Sequence, residues 1–207
     1  MKREEKNRQT RQRIMDSALQ EFARQGYGAS SVNAICSAEG ISKGIIYHYF
    51  ETKDDLYLGC VEDCFQRLTE YLREAMPQSG RGTQECLELY FNARMEFFQK
   101  NPLYQRIFCD AVILPPAHLK TAVGERKAGF DALNIEILMQ ILAGMKLRPE
   151  ISRWEAVDTF LQYQDFLNAR YQMAGAGEVD IRKHETDCHR ALEILLYGVT
   201  AREEAQR

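Results

Sequence analysis

The side chains between residues 42 and 53 are chemically suited to contact the phosphate backbone of a nucleic acid. Each of these residues has a hydrogen-bond donor or a positive charge, or, at Gly44, no side chain. The residues are Ser42, Lys43, Gly44, Tyr47, His48, Tyr49 and Lys53. Residues 40–50 contain no Asp or Glu, so no carboxylate repels phosphate there. A backbone without a side chain at Gly44 can approach a sugar-phosphate chain closely.

Two short helices are predicted to position these side chains. Ser30 or Ser31 can cap the first helix, and Gly40 can end it in the left-handed conformation. Ser42 can then cap a second helix over residues 43–50. Two helices joined by such a turn form a helix-turn-helix, whose second helix commonly lies in the DNA major groove. A plain helical hairpin in a larger bundle gives the same pattern, so both interpretations are open on this pattern alone.

A dense set of residues between positions 10 and 58 favours DNA binding. It comprises Thr10, Arg11, Ile14, Ala18, Phe22, Gly26, Tyr27, Ser31, Val32, Ile35, Gly40, Ile41, Ser42, Gly44, Ile46, Tyr47, Tyr49, Phe50, Lys53 and Asp54. In these residues the segment resembles the DNA-binding domain of the TetR family of bacterial transcriptional regulators. The resemblance stops near residue 58. Ile45 departs from it, because the family more often has a small or polar residue there, which leaves the operator sequence open.

The resemblance implies a homodimeric regulator that binds a pseudo-palindromic double-stranded DNA operator. It also implies a repressor that is released by a small hydrophobic or aromatic ligand bound in the rest of the chain. The predicted DNA-contacting residues are Ser31, Ser42, Lys43, Gly44, Ile45, Tyr47, His48, Tyr49 and Lys53. Ile45 either packs against a thymine methyl group or turns into the core. The alternative function is a helix-turn-helix protein without an inducer, controlled by a protein partner or playing a structural role.

Charge divides the chain in two. Residues 1–53 hold nine Lys/Arg against six Asp/Glu, whereas residues 54–207 hold 18 against 24. This asymmetry is typical of a nucleic-acid-binding end joined to another module. We therefore expect a DNA-binding domain at 1–53 and a ligand-binding and dimerisation domain at 54–207.

The remaining sequence features argue against membrane, metal and catalytic roles. Charged residues follow Met1 and no long apolar run occurs, so a cytoplasmic protein that makes no membrane contact is expected. The six cysteines are then expected to be free. Cys60 and Cys64 share a helix face and could bind metal or sense oxidants, but no CxxC motif or His cluster supports a metal site. No catalytic constellation stands out, so neither an enzyme nor a cofactor is predicted.

Apolar spacing predicts an all-α fold of about nine helices, with a three-helix head and a larger helical body. Residues 1–9 lack apolar periodicity and are predicted to form a mobile arm, followed by a first helix over about residues 10–25.

The body supplies the candidate residues for ligand binding and dimerisation. Residues that could line a pocket are Tyr90, Arg94, Met95, Phe98, Tyr104, Phe108, Phe130 and Asn134, with Gln162 as a further polar candidate. For each of them an ordinary core position is the alternative. The last two helices are apolar beyond one buried stripe, which predicts an interface with a second copy formed by Phe160, Leu167, Cys188, Leu192 and Leu195. The alternative is that both helices cover the body's own core.

Overall fold

A computed structural model describes residues 2–76, 83–173 and 180–198, which form nine α-helices and no strand. The helices are α1 (Lys2–Ala29), α2 (Val32–Glu39), α3 (Lys43–Tyr49), α4 (Lys53–Ala75), α5 (Thr83–Lys100), α6 (Pro102–Val112), α7 (Lys120–Ala143), α8 (Arg153–Met173) and α9 (Ile181–Tyr197), with a single 3-10 turn at Ala117–Leu119. The predicted all-α fold of about nine helices is confirmed.

The first helix begins earlier than the sequence pattern predicted. It begins at Lys2, so the prediction of a mobile arm over residues 1–9 was wrong. Polar contacts along the helix surface stabilise this part, since Arg8 Nη2 lies 2.9 Å from Glu5 Oε2. Apolar periodicity is absent there because residues 3–9 are exposed and nothing covers them. Gly26 (φ 70°, ψ 168°) interrupts the helix before its last turn.

The head is held together by the apolar faces of its three helices. Ile14, Ala18 and Phe22 of α1 are fully buried, as is Ile35 of α2. Ile46 is the buried residue of α3, and it ties that short helix to the same core. Because one cluster joins all three helices, the orientation of α3 is set by the packing of α1 and α2.

Helix α4 connects the head to the body. A capping box begins it, in which Thr52 Oγ1 accepts a hydrogen bond from Asp55 N (3.0 Å) and Asp55 Oδ2 accepts one from Thr52 N (3.0 Å). Its buried stripe runs from Leu56 to Leu72 and packs against α1 on one side and α5, α6 and α7 on the other. Helix α4 therefore packs against both the head and the body.

Candidate DNA-binding surface and effector cavity

Local backbone chemistry sets the turn that carries α3. Gly40 has φ 63° and ψ 27°, the left-handed conformation that a glycine adopts without strain. Ser31 Oγ accepts a hydrogen bond from Ala34 N (3.1 Å), and Ser42 Oγ accepts one from Ile45 N (3.4 Å). Both helices of the hairpin are thus capped by serine hydroxyls, and Ile41 is buried between them.

The outward face of α3 presents a surface free of carboxylates. Ile45 and Tyr47 are 43% and 44% exposed, and Lys43, Gly44 and His48 are exposed beside them. A Cβ placed at Gly44 would meet no atom within 4 Å, so the backbone is open to a ligand there. Exposed donors, one cation and an uncovered apolar side chain together suit a DNA groove.

Two predicted contact residues at the edge of this surface are partly engaged within the chain. Tyr49 is half-buried, and its hydroxyl donates to Asn7 Oδ1 (3.3 Å) from the first turns of α1. Lys53 Nζ lies 4.3 Å from the centroid of the Tyr27 ring. Both contacts reduce the freedom of a side chain that would face phosphate.

Tyr27 also joins the head to the body. Its hydroxyl donates to Asp54 Oδ1 and lies 3.2 Å from Nε2 of His118, which is itself 3.2 Å from Asp54 Oδ2. Burial, together with the hydrogen bond to Asp54, raises the pKa of Tyr27 to about 12. His118 precedes α7, so this cluster brings together the end of α1, the start of α4 and the body.

The body contains a cavity of about 330 Å³ between α5, α6, α7, α8 and α9. Its lining comprises Arg94, Phe108, Val112, Lys127, Phe130, Asp131, Asn134, Ile135, Leu161, Gln164, Asp165, Asn168 and His184. The volume is at the lower end of the range for small-molecule sites in proteins. Eight of the lining side chains are polar, which differs from the apolar pocket that the sequence pattern indicated.

Four of the eight predicted pocket residues line this cavity, namely Arg94, Phe108, Phe130 and Asn134. Tyr90 lies behind it, where its hydroxyl donates to Asn134 Oδ1 (2.6 Å).

The other three predicted pocket residues lie elsewhere. Met95 and Phe98 line a separate hollow next to Ile181. The Tyr104 hydroxyl donates to Asp63, on the side of α4. Aromatic content alone does not distinguish a pocket from a core.

Sequence reasoning missed the polar residues of α8. It proposed Gln162, which is exposed and donates to Asp158 Oδ2 (2.7 Å), away from the cavity. The residues that line the cavity are Leu161, Gln164, Asp165 and Asn168. Their spacing of i, i+3, i+4 and i+7 is that of one helical face, so this stripe was the signal that could have identified them.

A buried ion pair forms the floor of the cavity. The Arg94 Nε atom lies 2.8 Å from Glu185 Oε2, and Nη2 donates to Glu185 Oε1 (2.9 Å). Nη1 donates to the Tyr90 hydroxyl (2.8 Å). Burial raises the pKa of Glu185, but Arg94 and His184 outweigh this effect and hold it below its ordinary value. Glu185 therefore stays ionised and neutralises Arg94.

Four of the five residues predicted for the dimer interface are covered within the single chain. Phe160, Leu167, Cys188 and Leu192 are all buried within the single chain, and only Leu195 is exposed. Phe160 and Leu192 face α7, where they line a small apolar gap together with Leu138. Helical periodicity identified an apolar stripe correctly, but the body's own core covers it.

The exposed apolar side chains of the two last helices lie elsewhere. They are Trp154, Tyr163, Phe166 and Met173 on α8 and Ile194, Leu195 and Tyr197 on α9.

The cysteine pair of α4 lies in the core. Cys60 and Cys64 are fully buried, and burial raises the pKa of each thiol well above its ordinary value. A protonated thiol is a poor nucleophile and a poor metal ligand, so these residues are packing groups. Within the described ranges, no three His, Cys, Asp or Glu side chains converge as a metal site. None of the described helices combines the length and hydrophobicity needed to cross a bilayer.

The chain is similar to known bacterial regulators. A family model described as bacterial regulatory proteins, tetR family, matches residues 14–60. HTH-type transcriptional repressor KstR2 of Rhodococcus jostii (strain RHA1) is 32% identical over 202 residues, which cover 92% of this chain and 91% of that protein. Nucleoid occlusion factor SlmA of Haemophilus ducreyi is 29% identical over 125 residues, which cover 60% of this chain and 59% of SlmA. Other curated relatives are matched over about a quarter to three fifths of their length.

The fold is likewise similar to that of solved regulators. The transcriptional regulator FadR from Bacillus subtilis, in complex with stearoyl-CoA, aligns with a TM-score of 0.68 and 18% sequence identity, covering 91% of this chain and 99% of that one. The TM-score establishes a shared architecture, whereas 18% identity leaves the ligand of this chain undetermined.

Proposed function

The chain belongs to the TetR family of bacterial regulatory proteins, and on that premise we propose that it is a transcriptional repressor whose DNA affinity is controlled by a small molecule. The observation that carries the proposal is the exposed, carboxylate-free face of α3 on a hairpin held by serine caps. In this proposal Lys43, Tyr47 and His48 contact phosphate and base edges, and Lys53 contacts the flanking phosphates. Ile45 supplies an apolar contact in the groove.

The proposed repressor acts as a homodimer on a pseudo-palindromic operator, so that two copies of α3 reach successive major grooves. Tyr163, Phe166 and Met173 on α8 are exposed, and their spacing places them on one side of that helix. Leu195 and Tyr197 extend the exposed apolar surface at the end of α9. A second copy of this chain would cover these side chains in an isologous interface.

Release from DNA is proposed to pass through α6. Phe108 and Val112 of α6 line the cavity, while Asp110 on the same helix faces the end of α1. A Cβ at Gly26 would lie 3.6 Å from Asp110 Oδ2, so the two helices are in close contact there. An effector that moves α6 would therefore displace the head. It would release the protein from DNA because it binds the free form more tightly than the DNA-bound form.

A second candidate function rests on the similarity to SlmA, a nucleoid occlusion factor. In that case the chain would bind DNA without a small-molecule inducer and respond to a protein partner. The cavity at the junction of five helices favours the effector-controlled repressor, because its volume is within the range of small-molecule sites.

Selection of bound fragments from genomic DNA tests the DNA-binding proposal. Enriched fragments should share an inverted repeat whose half-site centres are separated by about 10 base pairs or a multiple of that spacing. Recovery of fragments without a shared sequence would leave only nonspecific binding and would contradict the proposal. Transcription from a promoter that carries a recovered site, measured with and without the protein, would then establish repression.

A further inference from the structure

The effector cavity has two polar walls that face each other. Helix α7 contributes Lys127, Asp131 and Asn134, which follow the i, i+4, i+7 spacing of one helical face. Helix α8 contributes Gln164, Asp165 and Asn168, with the matching spacing i, i+1, i+4. Phe108 and Phe130 lie at the inner end, so a molecule that fits this space has an apolar part and a polar part.

The cations of the cavity are already neutralised. Each of the three nitrogens of Arg94 has a partner in Glu185 or Tyr90. Lys127 Nζ is paired with the Asp131 carboxylate one turn later on α7. His184 Nδ1 lies 3.5 Å from Glu185 Oε1, so no Lys, Arg or His among the described residues that line the cavity lacks a carboxylate partner. An anionic ligand would therefore have to displace Glu185 or Asp131 to gain a counter-charge.

One acidic group of the lining is left without a counter-charge. Asp165 is exposed on α8, and no described residue pairs with its carboxylate. Gln164 stands beside it on the same face with a further amide oxygen, and Asn168 Oδ1, which lies 2.8 Å from His184 Nε2, keeps a second lone pair as an acceptor. The unmatched charge of the cavity is thus negative.

From this charge pattern we propose that the effector is a compact amphipathic amine, bound with its ammonium group at Asp165 and its apolar part against Phe108 and Phe130. The inference rests on the proposed effector-controlled function. The proposed ligand is a cation, whereas the ligand of the FadR protein solved with stearoyl-CoA is an anionic acyl thioester. In this arrangement Asp165 and Asn168 determine specificity at the polar end of the ligand.

Three probes with one carbon skeleton test the charge requirement: 3-phenylpropylamine, 3-phenylpropan-1-ol and 3-phenylpropanoate. Calorimetric titration of the full chain at pH 8 keeps the amine protonated and the acid ionised. We expect the amine to bind at least about tenfold more tightly than the carboxylate, with the alcohol between them. Asp165→Asn should weaken amine binding by about threefold to tenfold and leave the alcohol unchanged.

Asp158→Asn is the matched control, because Asp158 lies on the same helix but points away from the cavity towards Gln162. It should bind all three probes as the wild type does. Equal or tighter binding of the carboxylate, an unchanged amine affinity in Asp165→Asn, or binding of none of the probes would each overturn the proposal. Operator binding measured without any probe tests the proposed repressor separately, so failure of one is distinguishable from failure of the other.

Discussion

The Lys53 ammonium lies 4.3 Å from the centroid of the Tyr27 ring, so the end of α1 helps to orient the first cation of α4. The hydroxyl of the same ring is held by Asp54, the next residue of α4. A cation that is pre-oriented in this way loses less side-chain entropy when it meets a phosphate. Substitution of Lys53 is therefore the most direct test of contact with the DNA phosphate backbone.

We predict that Lys53→Ala weakens binding to all DNA sequences alike. The slope of log K against log salt concentration should fall by about one counterion, because one phosphate contact is lost. Tyr47→Phe should weaken binding without changing that slope. Lys146→Ala provides the control, since this exposed lysine follows α7 far along the chain from α3. An unchanged salt slope in Lys53→Ala would remove Lys53 from the contact surface.

Ile45→Ala should alter base discrimination and leave the head folded. Ile45 is 43% exposed, so its truncation removes little buried surface. If it contacts a thymine methyl group, discrimination at one base pair per half-site should fall by about 1–3 kcal/mol. Replacement of each operator thymine by uracil, followed by affinity measurement, tests this contact directly. Indifference to every methyl group would disprove it.

The neighbouring residue supplies the control for this substitution. Ile46 is 1% exposed and anchors α3 in the head core. Ile46→Ala should therefore lower the free energy of unfolding by about 2–5 kcal/mol. Thermal melting distinguishes the two variants, and a large loss of stability in Ile45→Ala would assign that residue to the core instead.

The dimer proposal predicts different outcomes for a charged substitution on the exposed face of α8 and on the buried face of α9. Phe166→Glu should give a folded monomer, because Phe166 is 57% exposed on the surface proposed to meet a second copy. Leu192→Glu should instead unfold the body, because Leu192 is buried against α7. Sedimentation velocity and melting temperature separate these results. A dimeric Phe166→Glu variant would place the interface elsewhere.

Acid should weaken the fold through the Arg94–Glu185 pair. Arg94 and His184 hold the pKa of Glu185 below its ordinary value of 4.5 despite its burial. A carboxyl group whose pKa is lowered by folding stabilises the fold above its unfolded pKa, and this contribution is lost as the pH falls below about 4.5. Urea unfolding between pH 7 and pH 3 should reveal that loss in the wild type.

Glu185→Gln should remove this pH dependence and also lower stability at pH 7. The expected loss is about 3–5 kcal/mol, because Arg94 would be left buried without its counter-ion. Glu96→Gln is the matched control, since Glu96 pairs with Lys100 on the exposed side of α5. Its effect on stability should be much smaller than that of Glu185→Gln, because the Glu96–Lys100 pair is solvent-exposed. Equal stability of the wild type and Glu185→Gln at pH 7 would show that the pair contributes nothing.

Features that depend on short-range chemistry could be predicted from the sequence. The serine caps, the left-handed Gly40 and the capping box at Thr52 and Asp55 each involve residues within one helical turn. Such features depend on residue type and spacing, which the sequence contains in full. The apolar stripe of α4 likewise follows from residue spacing, because the helical period fixes which side chains share one face.

The predictions that failed concern which neighbour covers a given face. Periodicity identified Phe160 and Leu192 as one apolar stripe, but it could not show that α7 covers this stripe within the same chain. Residues 3–9 continue α1 without an apolar face, and exposed polar pairs such as Arg8 with Glu5 lie along it.

The sequence by itself determined the all-α fold, the two capped helices of the hairpin and the outward face of α3, because these follow from local spacing and capping. Only the tertiary structure decided where the cavity of the body lies and what charge it carries. Arg94 and Glu185 are 91 residues apart, and whether Arg94 is free to bind an anion depends on that distant pairing. The net charge of a buried site depends on which ionisable groups from different helices are in contact. Local sequence patterns do not specify those long-range contacts.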